Sequence, residues 1–276
     1  MNFISVNNLS YRYPDGTQAL NNISLYVRKN IKLALLGANG SGKTTLMLHL
    51  NGLMLAQSGN IEVFDQTIGK HNLKNIRSKV GILFDNPDNQ LFSTTVYDDV
   101  AFGPYNMGCS EGEIKSRVKS ALEKVKISHL ADKPPHNLSL GQKKKAAIAG
   151  LLAMSLEVFV MDEPFSGLDP ASVTEFLGIL QDLHKDGATM IISTHDVDLA
   201  YVWADEVAIM SQGNIVAYGD TSILHSKELV DKWNLRLPIL AETFMDTQYA
   251  PRAPDEARVI VNSLDCCKEI KPDKGG

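Results

Sequence analysis

The residues best suited to chemistry form the segment GANGSGKT, which runs from Gly37 to Thr44. Its glycines allow backbone N–H groups to wrap a chain of phosphates, and a helix beginning there adds its positive N-terminal end. Lys43 is predicted to reach the β and γ phosphates, and the Thr44 hydroxyl to bind Mg²⁺. A glycine-rich turn is the alternative, but the flanking strand and helix are those that a phosphate site requires. The predicted nucleotide-binding residues are Gly37, Ala38, Asn39, Gly40, Ser41, Gly42, Lys43, Thr44 and Thr45.

A second group of reactive side chains follows the apolar segment VFVM, where Asp162 and Glu163 stand next to each other. Asp162 suits a direct or indirect Mg²⁺ ligand, and Glu163 could polarise an attacking water. Two acids at a strand end could instead cap the following helix. Paired with a phosphate site, they favour hydrolysis of the bound nucleotide.

A third group is LSLGQ, from Leu138 to Gln142, which precedes three lysines and an apolar helical pattern. Ser139 stands where that helix should begin, so its hydroxyl and nearby N–H groups could hold a second anion. The alternative is a simple helix cap with the lysines on a solvated face.

Strand and helix signals that would position these residues alternate along the chain. Two segments near the N-terminus, FISVNNLSYRY and ALNNISLYV, alternate apolar and polar positions and predict antiparallel strands. Buried strands are predicted at 31–36, 61–64, 80–84, 158–161, 189–192 and 207–210, with a hairpin turn at 212–214. Residues 111–130 have apolar side chains at helical spacing.

This order predicts an α/β fold with a largely parallel sheet, helices on both of its faces and an antiparallel β subdomain. Residues 1–237 are assigned to one unit, with a helical subdomain of about 86–140 inserted in its α/β core. Residues 238–276, which include Pro251, Pro254 and Pro272, are predicted to form a C-terminal tail that could be flexible.

Composition excludes several classes of protein. With 276 residues, 44% of them hydrophobic, the chain should fold with a substantial core. A net charge of −5 argues against binding nucleic acid through its phosphates. Cys109, Cys266 and Cys267 suit neither a disulfide framework nor a zinc site, and a reducing cytosol is expected. No signal peptide is apparent, and the most apolar stretch, 146–161, is too short to span a bilayer.

Together, the motifs resemble those of the ATP-binding-cassette (ABC) ATPases from about Phe3 to Leu229. GANGSGKT is similar to Walker A, VFVMDEP to Walker B and LSLGQ to the family signature. SGLD, which ends at Asp169, resembles the D-loop, and His195 the switch histidine. Tyr13 occupies the place of the aromatic that stacks on adenine. An ordinary surface tyrosine and a plain strand-end histidine are the alternatives for the last two.

The resemblance implies a P-loop NTPase core of the RecA-like type that hydrolyses ATP with Mg²⁺. Two cassettes, identical or different, would face each other head to tail. Each ATP would lie between one Walker A and the partner's signature residues Ser139, Leu140, Gly141 and Gln142. His195 would contact the γ-phosphate and orient Glu163 and the water.

A narrower resemblance joins NPDNQLFS, 86–93, and VAFGP, 100–104, to the cassettes of energy-coupling-factor importers for cobalt, nickel or vitamins. It implies a peripheral subunit on the cytoplasmic face of the membrane, with an integral membrane partner and an unidentified cargo. Gln90, Leu91 and Phe92 would line the groove for a helix of that partner, and Asp98 or Asp99 could pair with a basic residue on it. A loop that only covers the insertion is the alternative.

Three positions depart from the family pattern. Asp85 replaces the usual glutamine; a carboxylate could still bind Mg²⁺, although its charge beside the γ-phosphate could slow turnover. Leu140 replaces a glycine of the signature, and Lys145 replaces a frequent arginine, so a bidentate contact would be lost.

Two other functions remain as hypotheses. One is a soluble cassette that acts on nucleic acid or the ribosome, which the net charge and the single cassette disfavour. The other is a regulatory nucleotide-binding module with little hydrolysis, motivated by Asp85 and disfavoured by Glu163 and His195.

Overall fold

Two β-sheets organise the protein, in a computed structural model that describes residues 2–233 and 235–265. Cys266, Cys267 and Pro272 lie outside the described residues. The strands are β1 Asn2–Arg12, β2 Gln18–Arg28, β3 Lys32–Leu36, β4 Ser58–Val63, β5 Gln66–Thr67, β6 Val80–Leu83, β7 Val158–Met161, β8 Thr189–Thr194, β9 Glu206–Ser211 and β10 Asn214–Asp220. The α-helices are α1 Lys43–Leu50, α2 Leu73–Arg77, α3 Val96–Met107, α4 Glu111–Lys124, α5 Leu140–Ala153, α6 Pro170–Lys185, α7 Val197–Trp203, α8 Lys227–Lys232, α9 Ile239–Thr243 and α10 Pro254–Asp265.

The smaller sheet is antiparallel, in the order β2-β1-β4-β5. The alternating patterns in β1 and β2 place Ile4, Val6 and Leu25 on a fully buried face, while the intervening polar residues face outward. This agrees with the antiparallel strands that the sequence predicts.

The larger sheet has the order β10-β9-β3-β8-β7-β6. All its pairs are parallel except the edge hairpin of β9 and β10, which turns at the predicted 212–214 segment. Every residue of β7 and β8 is buried, as expected where both faces of a parallel sheet are covered. The predicted α/β fold is confirmed.

Parallel pairing brings three chain segments to the same edge of this sheet. Leu36, at the end of β3, pairs with Thr194 of β8, and Met161 of β7 pairs with Ile192. The residues that follow these strands are Gly37, Asp162 and His195. Three motifs that are far apart in sequence therefore meet at one place.

Helices α3, α4 and α5 pack against one another on one side of the sheet. The predicted helical spacing of Ile114, Val118 and Leu122 forms the buried face of α4. A capping box formed by Ser110 and Glu113 begins that helix. The boundaries of about 86–140 for an inserted subdomain stay a prediction.

The chain beyond residue 237 contacts α7 at several points. The Ile239 N–H donates to Asp198 Oδ1 over 2.6 Å, and the Tyr201 hydroxyl donates to Pro251 O over 3.2 Å. Arg252 donates to the carbonyl oxygens of Tyr201 and Ala204. A tail of 238–276 stays a prediction, and its described part is fastened to the helix that follows His195.

In residues 2–233 and 235–265, no helix is both long enough and apolar enough to cross a membrane.

Candidate active site

The loop between β3 and α1 passes so close to neighbouring backbone that two of its positions require glycine. A Cβ atom on Gly37 would lie 2.3 Å from Met210 O, and one on Gly42 would lie 2.5 Å from Ala19 O. Gly42 also has a φ of 104°, a left-handed conformation that L side chains rarely adopt. The loop is thus pressed against β2 and β9, with α1 beginning at its end.

Lys43 is buried within this loop. Its Nζ donates to Gly37 O over 2.7 Å and to Ala38 O over 3.1 Å. Burial lowers the pKa of Lys43, and the attraction of Glu163 and Asp162 opposes that shift. A cationic donor therefore lies against the carbonyl oxygens of the loop, at the place where a phosphate chain would be wrapped.

Thr44 and Asp162 lie side by side at the predicted metal position. The Thr44 hydroxyl donates to Asp162 Oδ2 over 2.6 Å, and the Ser193 hydroxyl donates to Asp162 Oδ1. A hydroxyl beside a carboxylate offers the hard oxygen donors that Mg²⁺ prefers. In the described part of the chain, no group of three or more His, Cys, Asp or Glu residues could hold a metal ion. The oxygen set therefore suits an ion that completes its coordination with phosphate and water.

Ser193 is a site residue that sequence reasoning missed. Besides donating to Asp162, its hydroxyl accepts from the Glu163 N–H over 2.9 Å. It therefore connects the two adjacent acids from the neighbouring strand. Its position two residues before His195, at the end of a buried strand, was the available signal.

Glu163 and His195 face each other. His195 Nδ1 lies 3.1 and 3.2 Å from the two carboxylate oxygens of Glu163. Glu163 has a φ of 40°, a left-handed conformation that is uncommon for any residue other than glycine. The His195 side chain is 68% exposed, so its ring can also reach a ligand. This carboxylate–imidazole pair can hold and orient a water.

An open cleft of about 490 Å³ is lined by Lys43, Thr44, Asp162 and Glu163. The Tyr13 hydroxyl is bonded to Thr45 Oγ1 at 3.0 Å, which fixes that ring at the rim. Asp85 is exposed and lines the same cleft. Its lining includes Tyr13, Asn39, Lys43, Asp85, Asp162 and Glu163.

The signature residues do not line this cleft. Ser139 is the N-cap of α5 and forms a capping box with Gln142. Leu140 is exposed, and a Cβ atom on Gly167 would lie 2.7 Å from Leu140 Cδ2. Gly141 lies next to Leu168, so the signature packs against the predicted D-loop.

The D-loop ends at Asp169, the N-cap of α6. Its carboxylate accepts from the Ser172 N–H over 3.0 Å and from the Ser172 hydroxyl over 2.7 Å. These hydrogen bonds lower the pKa of Asp169. The exposed carboxylate is therefore held ionised at the start of α6.

Asp98 and Asp99 lie in the first turn of α3, and both accept hydrogen bonds from the segment just before that helix. Asp99 Oδ1 accepts from the Phe92 and Ser93 N–H groups at 3.1 Å each. Asp98 Oδ2 accepts from the Thr95 hydroxyl at 2.6 Å, at the cap of α3. Asp99 therefore shapes the loop, and pairing of either acid with a partner's cation stays a prediction.

The remaining predicted groove residues differ in how far their side chains are exposed to solvent. Gln90 Oε1 accepts from the Phe84 N–H over 3.3 Å, and Leu91 is partly buried against the core. The Phe92 side chain is 68% exposed and meets the ring of Phe102 edge to face, with centroids 4.8 Å apart. We name Phe92, Phe102 and the exposed Tyr105 the aromatic patch.

The three lysines after the signature do not share a solvated face. Lys143 pairs with Asp88 at 2.6 Å, and Lys145 pairs with Glu175 Oε2 at 2.5 Å. Lys145 makes one contact where an arginine could make two. Lys144 is buried. The interpretation of this triplet as a solvated face is wrong, because Lys144 is buried and the paired side chains of Lys143 and Lys145 are largely covered.

Residues 20–166 match the family described as ABC transporter. The energy-coupling factor transporter ATP-binding protein EcfA of Carboxydothermus hydrogenoformans is 46% identical over 264 residues, which cover 95% of this chain and 98% of that protein. The protein with the same description from Methanosphaera stadtmanae is 49% identical over 244 residues, or 87% of this chain and 88% of that protein.

Solved structures agree with this match. CbiO1 from Clostridium perfringens, described as part of the ABC transporter complex CbiONQ, aligns with a TM-score of 0.74 at 42% identity. The alignment covers 88% of this chain and 98% of that chain. A dimeric ATP-binding cassette bound to ADP and Pi has a TM-score of 0.73 at 23% identity, which supports the fold alone. The chain therefore belongs to the ABC transporter family and is an ATP-hydrolysing cassette of the energy-coupling factor type.

Proposed function

We propose that this chain is the energy-coupling ATPase subunit of an ABC importer, peripheral on the cytoplasmic face of the membrane. The observation that carries the chemical part is the pairing of His195 with Glu163 at 3.1 Å, because Glu163 lines the same cleft as the Thr44–Asp162 pair. The names of its relatives support the transport part.

Two interactions bind ATP: positive groups neutralise its phosphates, and an aromatic ring stacks on its adenine. Lys43 and the N–H groups of the loop from Gly37 to Thr44 neutralise the phosphates, and the ring of Tyr13 at the rim stacks on adenine. Lys43 must exchange its bonds to loop carbonyls for bonds to phosphate oxygens. Because the phosphate is charged, this exchange is favourable in a partly buried site.

Thr44, Asp162 and Asp85 are the residues that would hold Mg²⁺, and the ion would neutralise charge on the phosphates. Thr44 and Asp162 are already in contact, whereas Asp85 enters from the end of β6. The carboxylate of Asp85 can bind the cation, and its negative charge beside the γ-phosphate would slow turnover.

Glu163 is the proposed general base. Its carboxylate accepts a proton from the attacking water while His195 holds the carboxylate and contacts the γ-phosphate. Asp162 has a different role, because its oxygens accept from the Thr44 and Ser193 hydroxyls and it is the residue proposed to hold Mg²⁺ with Thr44.

A second cassette completes the site. The signature residues Ser139 and Leu140 are exposed and lie outside the chain's own cleft, although Ser139 caps a helix whose N-terminus suits an anion. A head-to-tail pair of cassettes brings this N-terminus to the partner's ATP, and Asp169 lies beside it at the D-loop. Closure of the pair is then driven by ATP.

The membrane partner is proposed to contact the loop around Phe92. The aromatic patch exposes three rings next to Asp98, a combination that suits an amphipathic helix with a basic residue. The cargo is proposed to be a transition-metal ion such as cobalt or nickel, or a vitamin, carried by that partner.

The test is the steady-state ATPase rate of the wild type and of Glu163→Gln. We expect kcat to fall by about 10²-fold or more in the variant, since a general base contributes on this order. Glu157→Gln is the matched control, because Glu157 is an exposed glutamate at the opposite end of β7. A wild-type rate in Glu163→Gln would contradict the assignment of the base. A wild type that binds ATP without hydrolysing it would favour a regulatory module, for which Asp85 in the cleft is the supporting observation.

A further inference from the structure

The ammonium group of Lys144 lies directly beneath the segment that carries the proposed base. Its Nζ donates to Glu163 O over 3.1 Å, to Pro164 O over 3.2 Å and to Ser166 O over 2.7 Å. The residue is 1% exposed. A lysine ammonium has three donors and no acceptor, so these three carbonyls satisfy it completely.

Burial of the Lys144 ammonium group is by itself energetically unfavourable. Burial lowers the pKa of Lys144, and the attraction of Asp85 and Glu163 opposes that shift. A buried charge without partners would be strongly unfavourable, so the three carbonyls must stay where they are for the lysine to remain in place. The contact therefore restrains both the lysine side chain and the backbone segment that carries the three carbonyls.

The peptide groups on both sides of Glu163 are held by side chains from other elements. Its N–H donates to Ser193 on β8, and its C=O accepts from Lys144 on α5. Between these two bonds the residue has a φ of 40°, a conformation that a non-glycine residue keeps only when its surroundings impose it. The direction of the Glu163 carboxylate follows from this backbone conformation.

The same helix also carries the signature. Ser139 caps α5, and Leu140 packs against Gly167, three residues after Pro164. Helix α5 thus contacts the segment from Glu163 to Asp169 at two places, through Leu140 at its start and through Lys144 one turn later. A displacement of the N-terminus of α5 is carried to Glu163 by the ammonium group.

We propose that Lys144 is a positioning residue, which sets the orientation of Glu163 according to the position of the signature helix. Occupancy of the partner's ATP site, sensed by Ser139, is thereby transmitted to the chain's own base. This inference rests on the proposed function, because it requires Glu163 as the base and the signature as a contact to a second cassette. No other cation of the triplet can act in this way, since Lys143 and Lys145 pair with Asp88 and Glu175.

The experiment compares Lys144→Met and Lys144→Gln with the wild type. Lys145→Met is the matched control, because it removes a lysine of the same helix that pairs with Glu175 and does not contact the segment after β7. Three quantities are measured on the full chain: the affinity for ATP, kcat and the fraction of ATP-bound dimer. Thermal melting establishes that each variant is folded.

We expect kcat to fall by about 10²-fold in both Lys144 variants, the size of effect that misplacing a catalytic group has. The affinity for ATP should stay within roughly twofold, because no phosphate contact is removed. The ATP-bound dimer should accumulate as it does in Glu163→Gln, which a merely destabilised protein would not show. Lys145→Met should keep the wild-type kcat.

Three results would overturn the proposal: a wild-type kcat in the Lys144 variants, an equal loss in Lys145→Met, or loss of the folded state in both Lys144 variants. A loss of ATP affinity equal to the loss of kcat would also contradict it. Failure of the proposed function gives a different result, since neither the wild type nor Glu163→Gln would then form an ATP-dependent dimer.

Discussion

At the residue scale, two adjacent carboxylates have different surroundings. Asp162 is buried, and both of its oxygens accept hydroxyl hydrogen bonds, which orients the carboxylate as a ligand for a cation. Glu163 lines the cleft, and its two carboxylate oxygens lie 3.1 and 3.2 Å from Nδ1 of the exposed His195 ring. The positive φ at Glu163 is what directs the two neighbours to different sides.

Ser193→Ala removes the hydroxyl that joins these two acids. We expect the free energy of unfolding to fall by about 1–3 kcal/mol and kcat to fall by about tenfold, because the partly buried Glu163 N–H and the buried Asp162 Oδ1 both lose their partner. Urea unfolding and steady-state ATPase assays measure the two effects.

Thr189→Val is the matched control for Ser193→Ala. Thr189 lies at the other end of β8, is buried, and its hydroxyl accepts from the Asn30 N–H over 2.9 Å. This variant should lose stability and keep its kcat. Equal loss of kcat in both variants would show that Ser193 acts only through stability.

His49 predicts a pH dependence of stability. Burial lowers the pKa of His49 below its ordinary value of 6.5, outweighing the hydrogen bond between Nδ1 and Thr45 O at 2.7 Å. The unfolded chain therefore binds a proton that the folded chain rejects. As the pH falls below 6.5, the free energy of unfolding should decrease by up to about 1.4 kcal/mol per pH unit.

Urea unfolding between about pH 5 and pH 8 measures this dependence. His49→Gln has no titrating group at this position, so the difference in stability between wild type and variant should grow as the pH rises toward 6.5 and stay constant above it. Parallel profiles for the two proteins would mean that His49 keeps its ordinary pKa when folded.

At the scale of elements, the sequence predicts the strands well because their signal is local. The runs at 158–161 and 189–192 are apolar at every position, as strands covered on both faces must be. The motifs can be predicted for the same reason, since the glycines, the acids and the serine cap each belong to a short contiguous stretch of sequence.

Contacts between elements are harder to predict from the sequence than the elements themselves. Ser193 meets Asp162 because β7 and β8 are neighbours in the sheet, and Lys144 meets Glu163 O because α5 packs over the end of β7. Neither arrangement has a periodic signal in the sequence. The roles of Asp98 and Asp99 were likewise hidden, because their donors are backbone and side-chain groups of the same loop.

The aromatic patch on α3 and its preceding loop gives a prediction at this scale. Replacing both Phe92 and Phe102 with Ser should reduce co-purification with a co-expressed membrane subunit of the energy-coupling factor type by about tenfold or more. The affinity for ATP should not change, because the patch does not line the cleft. Tyr26→Ser, which alters an exposed aromatic on the antiparallel sheet, is the control. Unchanged co-purification of the double variant would remove the patch from the interface.

At the scale of the whole molecule, a chain of net charge −5 binds a polyanion. A negatively charged chain can bind phosphates because its positive groups are concentrated at one place. Lys43, the loop N–H groups and a helix end create positive potential in one cleft, so no basic surface is needed. The N-terminus of α5, which is proposed to meet the partner's ATP, lies outside that cleft. On this proposal, one chain carries two halves of different nucleotide sites.

The most direct test of the account is the mass of Glu163→Gln in solution with and without ATP and Mg²⁺, measured by light scattering. Without nucleotide, we expect the monomer mass of 30.3 kDa. With ATP, we expect twice that mass, because the variant binds nucleotide between two cassettes and cannot hydrolyse it. Adding Ser139→Glu, which places a carboxylate against the partner's phosphates, should return the mass to that of the monomer. A variant that binds ATP and stays monomeric would contradict the shared nucleotide site.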